Sequence, residues 1–218
     1  MLAFMHTLAR TPILGTMLLV ALVLLLSACD TPQEEAIPPS SNILALGDSL
    51  TAGYGVASDE AWPSLLAGKT GWTVINGGIS GNTSSEALAR LPALLEEHKP
   101  VLVFITLGGN DMLRHTPTQE TITNLEKMIA LARVHGAKPI LLGIPKPSIA
   151  GAVFRNLSAA EFYRDIAKNQ QVPLIEDAIA DVLSDPQLKV DQLHPNAAGH
   201  QLLTKKILDE LRKIGLIR

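Results

Sequence analysis

Residues 43–50 read ILALGDSL. The apolar run stops at Gly47, and a carboxylate and a hydroxyl follow at once in Asp48 and Ser49, the pattern of a buried strand running out into a polar loop. The same order returns at 101–111, VLVFITLGGND, where a longer apolar run ends at Gly108-Gly109 and delivers Asn110 and Asp111. Uninterrupted apolar runs of strand length mark strands covered on both faces, as in a parallel sheet between two helical layers. Further runs of this kind lie at 72–75, 139–144 and 172–175. Helical signals fill the gaps. Thr83 with Glu86 and Ser158 with Glu161 have the spacing of capping boxes. The first opens a helix to about Glu97, which Pro92 is expected to kink or divide. Residues 118–135 place Ile122, Leu125, Ile129 and Ala132 on one face and stop at Gly136. Asn196 caps a last helix that reaches Ile214, ahead of Gly215. Strand alternating with helix predicts the α/β class: a single three-layer, doubly wound sheet of five parallel strands.

Outside this domain, residues 42–218, the sequence has a different character. Residues 13–26 read ILGTMLLVALVLLL without a charge. That is shorter than the roughly 20 apolar residues of a membrane span, but it suits the apolar region of an export signal. Leu26-Ser27-Ala28-Cys29 then resembles the lipobox of bacterial lipoproteins, and Cys29 is the one cysteine of the chain. The expectation is a signal peptide at 1–28, removed ahead of a Cys29 that carries lipid and anchors the protein to a membrane after export. Asp30 resembles the inner-membrane retention signal of enteric bacteria, which leaves the choice of membrane open. Residues 30–41, DTPQEEAIPPSS, have the composition of an extended tether. Across all 218 residues, 18 basic against 21 acidic side chains give a net charge of -3, and aromatic residues make up 4%. Neither a polyanion footprint nor a set of stacking platforms is present, so a nucleic-acid partner is not expected.

Chemistry gathers where strands end. Gly47-Asp48-Ser49 follows the first strand, residues 76–82 (NGGISGN) follow the second, and Gly108-Gly109-Asn110-Asp111 follows the third. In the flavodoxin-like strand order 2-1-3-4-5 these loops share one rim, with Ser49 in the middle. A serine hydroxyl becomes a useful nucleophile only with a base in hydrogen-bond reach and donors for a developing oxyanion. His194 is the base candidate, because Asp191 stands three residues upstream on a turn and can hold the other ring nitrogen. His98 and His135 fall at helix ends, His200 lies within the last helix, and His115 follows the third-strand loop at the edge of the expected cleft. Asp48 and Asp111 read as loop organisers, since short carboxylates bond nearby backbone N–H groups. A dinucleotide site would need Gly-x-Gly-x-x-Gly after the first strand, and a metal site three close ligands; neither pattern is present, so no cofactor or metal is expected.

Together these residues resemble the SGNH or GDSL hydrolases, in particular their thioesterase I, protease I and lysophospholipase L1 group. Four blocks carry the resemblance in order: Gly47-Asp48-Ser49-Leu50, Gly81 within Ser80-Gly81-Asn82-Thr83, Asn110 within Gly-Gly-Asn-Asp, and Asp191 with His194 before Pro195-Asn196. Residues 89–95, ARLPALL, look like that group as well. The resemblance implies the SGNH fold and a catalytic triad of Ser49, His194 and Asp191. It also implies an oxyanion hole made by the backbone N–H groups of Ser49 and Gly81 and the Asn110 amide. The implied activity is that of a serine esterase or thioesterase, acting on small-molecule acyl esters or thioesters. Alternatives are an O-acetyl esterase on cell-envelope glycans and, from another class, a non-catalytic lipoprotein adaptor; retention of the full set of polar and glycine positions argues against the adaptor. A classical α/β-hydrolase elbow is disfavoured, because Thr51 stands where it needs glycine. The group commonly has Asp where this chain has Asn82 and Gly where it has His115. The segment 145–157, with Ile149, Val153 and Phe154, occupies the place of the group's substrate-responsive loop without matching it closely, which leaves acyl length open.

Overall fold

Backbone pairing follows the apolar runs. In the computed structural model, which describes residues 36–147 and 156–218, five strands pair in parallel: β1 (Asn42–Gly47), β2 (Thr73–Gly78), β3 (Leu102–Thr106), β4 (Lys138–Leu142) and β5 (Leu174–Ile175). Their order is β2-β1-β3-β4-β5, as the sequence predicts. Ile43, Leu44, Ala45 and Leu46 of β1 have no solvent exposure, and neither have Leu102 to Ile105 of β3, because helices cover both faces. The helices are α1 (Ser49–Ala52), α2 (Trp62–Thr70), α3 (Ser84–His98), α4 (Gly109–Leu113), α5 (Thr118–Val134), α6 (Phe162–Gln170), α7 (Ala178–Ser184) and α8 (Ala197–Lys213). Helices α3, α5 and α6 are neighbours in one group, and α2, α7 and α8 in the other.

Several local expectations hold and others give way to tertiary packing. Thr83 and Glu86 form the complete capping box of α3, and the Asn196 side chain caps α8 through the Gly199 N–H. Helix α3 nevertheless runs unbroken from Ser84 to His98 with Pro92 inside it. Pro92 is exposed, so water can take up the carbonyl its missing N–H leaves free. No box forms at Ser158 and Glu161: α6 starts one residue after Glu161 and no side chain caps it. Ser158 is held instead by an isolated bridge, in which Pro145 pairs with Ala159 and Lys146 N–H donates to the Ser158 carbonyl. Strand β2 continues through Asn76-Gly77-Gly78, read from sequence as loop, because parallel pairing carries on to Gly47 opposite Gly78. Packing also begins ahead of Asn42. The Ile37 N–H donates to the Leu216 carbonyl, and the Ile37 carbonyl accepts Trp72 Nε1–H, so this part of the expected tether lies against the domain. Cys29 and the leader lie outside the described residues.

Glycine at the strand ends sets how closely α1 can approach. A Cβ on Gly78 would lie 2.2 Å from the Ala52 nitrogen and 2.8 Å from the carbonyl carbon of Thr51. A Cβ on Gly47 would lie 2.1 Å from Thr51 Oγ1. The turn that carries Ser49 is therefore seated on the ends of two strands with no room for a methyl group. Gly78→Ala is expected to cost about 1–3 kcal/mol of stability, the usual range for overpacking, with a lowered thermal midpoint and a loss of hydrolytic rate. A midpoint and rate equal to wild type would show that α1 does not depend on this contact.

Candidate active site

Ser49 sits at the start of α1, where the buried Asp48 turns the chain: Asp48 Oδ1 accepts the Leu50 N–H at 3.0 Å. The 145-residue separation between Ser49 and His194 is closed in space, since His194 Nε2 lies 2.9 Å from Ser49 Oγ. On the other side of the ring, Nδ1 lies 2.9 and 2.8 Å from the two Asp191 oxygens. Asp191 accepts at Nδ1, so Nδ1 carries the proton and Nε2 is left as the acceptor for the Ser49 hydroxyl. The loop that presents the ring is closed on itself. Asp191 Oδ1 accepts the Leu193 and His194 N–H groups, the Val190 N–H donates to the His194 carbonyl, and Lys189 bridges to Pro195. The Tyr54 ring leans on the imidazole with centroids 4.5 Å apart. Partial burial works against the Asp191 charge, but the His194 ring and the Leu193 and His194 N–H groups outweigh it. They hold the carboxyl below the usual carboxylate range. Acidification through mildly acid pH therefore leaves Asp191 ionised.

The remaining rim residues arrive from the other two loops. Gly81, with φ of +82°, and Asn110 at the start of α4 line the same cleft as Ser49 and His194. The backbone N–H groups of Ser49 and Gly81 meet no acceptor among the described residues. Asn110 Nδ2 donates to Asp48 Oδ2 at 3.1 Å and to the Asn82 carbonyl at 3.0 Å. Two arginines pin the Gly81–Asn82 loop: Arg114 donates to the Gly81 carbonyl at 2.8 Å, and Arg90 donates to Asn82 Oδ1 at 2.9 Å and to the Gly47 carbonyl at 3.0 Å. Asp111 accepts from the Ser84 N–H and hydroxyl and fixes the start of α3 beside that loop. Asp48 and Asp111 are thus the loop organisers their residue type suggests.

The cleft encloses about 730 Å³. Among the described residues its wall beyond Ser49 is largely apolar, with Leu113, Ile144, Leu157, Leu183 and Leu193, and Ser80, Lys146 and Gln192 are its polar members. Ile149, Val153 and Phe154 lie outside the described residues. His115 is not part of the lining; it is exposed in a left-handed turn (φ 57°) just past α4. His200 is fully buried, accepts the Trp62 N–H at Nδ1, and has its imidazole lowered to about 4 by burial, so it is an uncharged core residue. Among the described residues no group of three His, Cys, Asp or Glu is placed to hold a metal. The structure brings the sequence candidates Ser49, His194, Asp191, Gly81 and Asn110 together at one cleft, and it adds Arg90, Arg114 and Tyr54, for which the sequence carries no spacing signal.

A family model described as the GDSL-like lipase/acylhydrolase family matches residues 45–202. The chain belongs to this family. The arylesterase of Vibrio mimicus is 38% identical over 180 residues, which is 80% of this chain and 90% of that protein. Thioesterase 1/protease 1/lysophospholipase L1 of Escherichia coli K12 is 36% identical, with 80% of this chain and 85% of that one covered. The crystal structure of TesA superposes with a TM-score of 0.71 at 34% identity and covers 80% of this chain and 99% of its own. The matched region contains every block that forms the rim, from Gly47-Asp48-Ser49 through Gly81 and Asn110 to Asp191 and His194.

Proposed function

We propose that this protein hydrolyses carboxylic esters and thioesters of acyl chains through an acyl-enzyme on Ser49. The observation that carries the reading is the continuous Ser49–His194–Asp191 hydrogen-bonded chain at the floor of the cleft. As Ser49 Oγ bonds to the acyl carbon, its proton passes to His194 Nε2, and Asp191 steadies the imidazolium. Negative charge on the former carbonyl oxygen faces the Ser49 and Gly81 N–H groups and the Asn110 amide, neutral donors that need no charge in the cleft. Collapse breaks the acyl C–O or C–S bond, and the leaving alcohol or thiol takes the proton from His194. Water then attacks the acyl-Ser49 ester and gives its proton to His194, and Ser49 regains its hydrogen as the carboxylic acid departs.

The largely apolar wall favours an acyl chain over an acetylated sugar, because sugar hydroxyls lying against Leu113, Ile144, Leu157 and Leu183 would go without partners, and Ser80, Lys146 and Gln192 are the few polar groups that could meet them. The names of the relatives, an arylesterase and a thioesterase/lysophospholipase, support the same class of acyl substrate. The leader, the lipobox and the lone Cys29 support export and anchoring to a membrane through a lipid on Cys29, with the domain outside the cytoplasm.

Ser49→Ala and His194→Ala are each expected to lower kcat on p-nitrophenyl acyl esters by about a thousandfold or more, with unchanged circular dichroism. Asp191→Ala should retain more rate than either. Normal turnover by folded Ser49→Ala protein would reject the mechanism. Separately, Cys29→Ser should move the protein from the membrane to the soluble fraction of exporting cells; membrane association unchanged by that substitution would reject the anchor.

A further inference from the structure

We propose that Asp48 is a positioning residue whose carboxylate sets the Asn110 amide and so determines whether that amide can serve the reacting oxygen. The proposal rests on the acyl-enzyme reading above. An amide nitrogen has two N–H bonds, and both are occupied here, one on Asp48 Oδ2 at 3.1 Å and one on the Asn82 carbonyl at 3.0 Å. A carbonyl oxygen that gains charge beside Ser49 is a third acceptor, so one of the existing bonds has to be shared or released. The two are not equal. A bond to a carboxylate is roughly twice as strong as one between neutral groups, which makes the Asn82 bond the one that yields. The amide then swings about its bond to Asp48.

Asp48 is suited to be that pivot because it cannot move. It is 2% exposed, and its other oxygen is fixed by the Leu50 N–H at the base of the Ser49 turn. One carboxylate therefore holds both the nucleophile's turn and the side-chain oxyanion donor in a single geometry. Asn82 is also held, its backbone N–H by the Ile79 carbonyl and its side chain by Arg90, so its own backbone carbonyl does not follow the swinging amide. Two acceptors facing Nδ2 further keep Asn110 from flipping its own carbonyl into that position. The groups that act on Asp48 are His194 from the loop before α8, Asp111 on α4, and the buried Tyr163 hydroxyl on α6, which donates to the Leu107 carbonyl. Burial raises the Asp48 carboxyl to about 6, against the pull of the Leu50 N–H and His194, so it is an acceptor at neutral pH.

A double-mutant cycle tests this. Asp48→Asn keeps the shape but sets an amide N–H against either Leu50 or Asn110. It is expected to lower kcat about tenfold with little change in KM, and to lower it by a clearly smaller factor, the part that acts through the Ser49 turn, when Asn110 is already Ala. An equal loss in both backgrounds would overturn the proposal, since Asp48 would then act through the Ser49 turn alone. Full activity of Asn110→Ala would overturn it too, by removing Asn110 from the reaction while leaving Ser49 and His194 as they stand. If Asp48→Asn does not fold, the Asn110 side-chain amide signals of the His194→Ala protein decide the matter. A shift of those signals as Asp48 titrates, with a midpoint above the usual carboxylate range and raised further by the loss of His194, supports the pivot, and signals independent of pH overturn it.

Discussion

A hydroxyl and an imidazole 145 residues apart in the chain meet at 2.9 Å, and most of the molecule can be read as the means of holding them there. Three constraints converge on that contact. Strand β1 has to stop at Gly47 so that α1 can sit on the ends of β1 and β2, where glycine alone leaves room. The loop from Lys189 to Pro195 has to close on itself to aim the ring. Strand order has to reverse at β1, which puts the loops after β1, β2 and β3 on one rim. The sheet contributes no reacting group; it supplies the rigid edge from which short loops project.

Polar groups on that rim are linked to one another before any substrate arrives. Asp48, Asn110, Asn82 and Arg90 form a chain of hydrogen bonds that runs from the Ser49 turn to the Gly81 loop and returns to the Gly47 carbonyl. Preorganised donors cost little reorganisation when charge develops, which is the main advantage of an oxyanion site over water. In the proposed mechanism the bonds that hold Asn110 at rest are also bonds it must partly give up, so the site would balance fixity against availability.

The fold is legible because strands buried on both faces leave an unbroken apolar signature; the strand order is not written in those runs, and 2-1-3-4-5 enters as the order that would bring the three polar loops to one rim. The end of β2 is misread from sequence, since Gly77-Gly78 looks like a turn and only the pairing with Gly47 makes it strand. Helix α2 went unread, although Pro63 in its first turn and Gly71 at its end are helix punctuation. Asp191 and His194 are legible as a candidate pair because they lie three residues apart on a local turn, and their joining with Ser49 in a triad comes from the resemblance to the SGNH hydrolases. The network around Asn110 is not legible, because Asp48 and Asn110 are 62 residues apart and long-range hydrogen bonds leave no spacing in a sequence. His115 was placed near the cleft by its position after the third-strand loop, but a left-handed turn at that residue leaves it exposed outside the lining.

Reaction of the full chain with an activated ethylphosphonate, followed by peptide mass mapping, reads the Ser49–His194 contact most directly. A phosphonate ester on Ser49 alone, formed at wild-type speed only when His194 is present, is the expected result. Stoichiometric labelling of another residue, or labelling of Ser49 at the same rate in the His194→Ala protein, would contradict it.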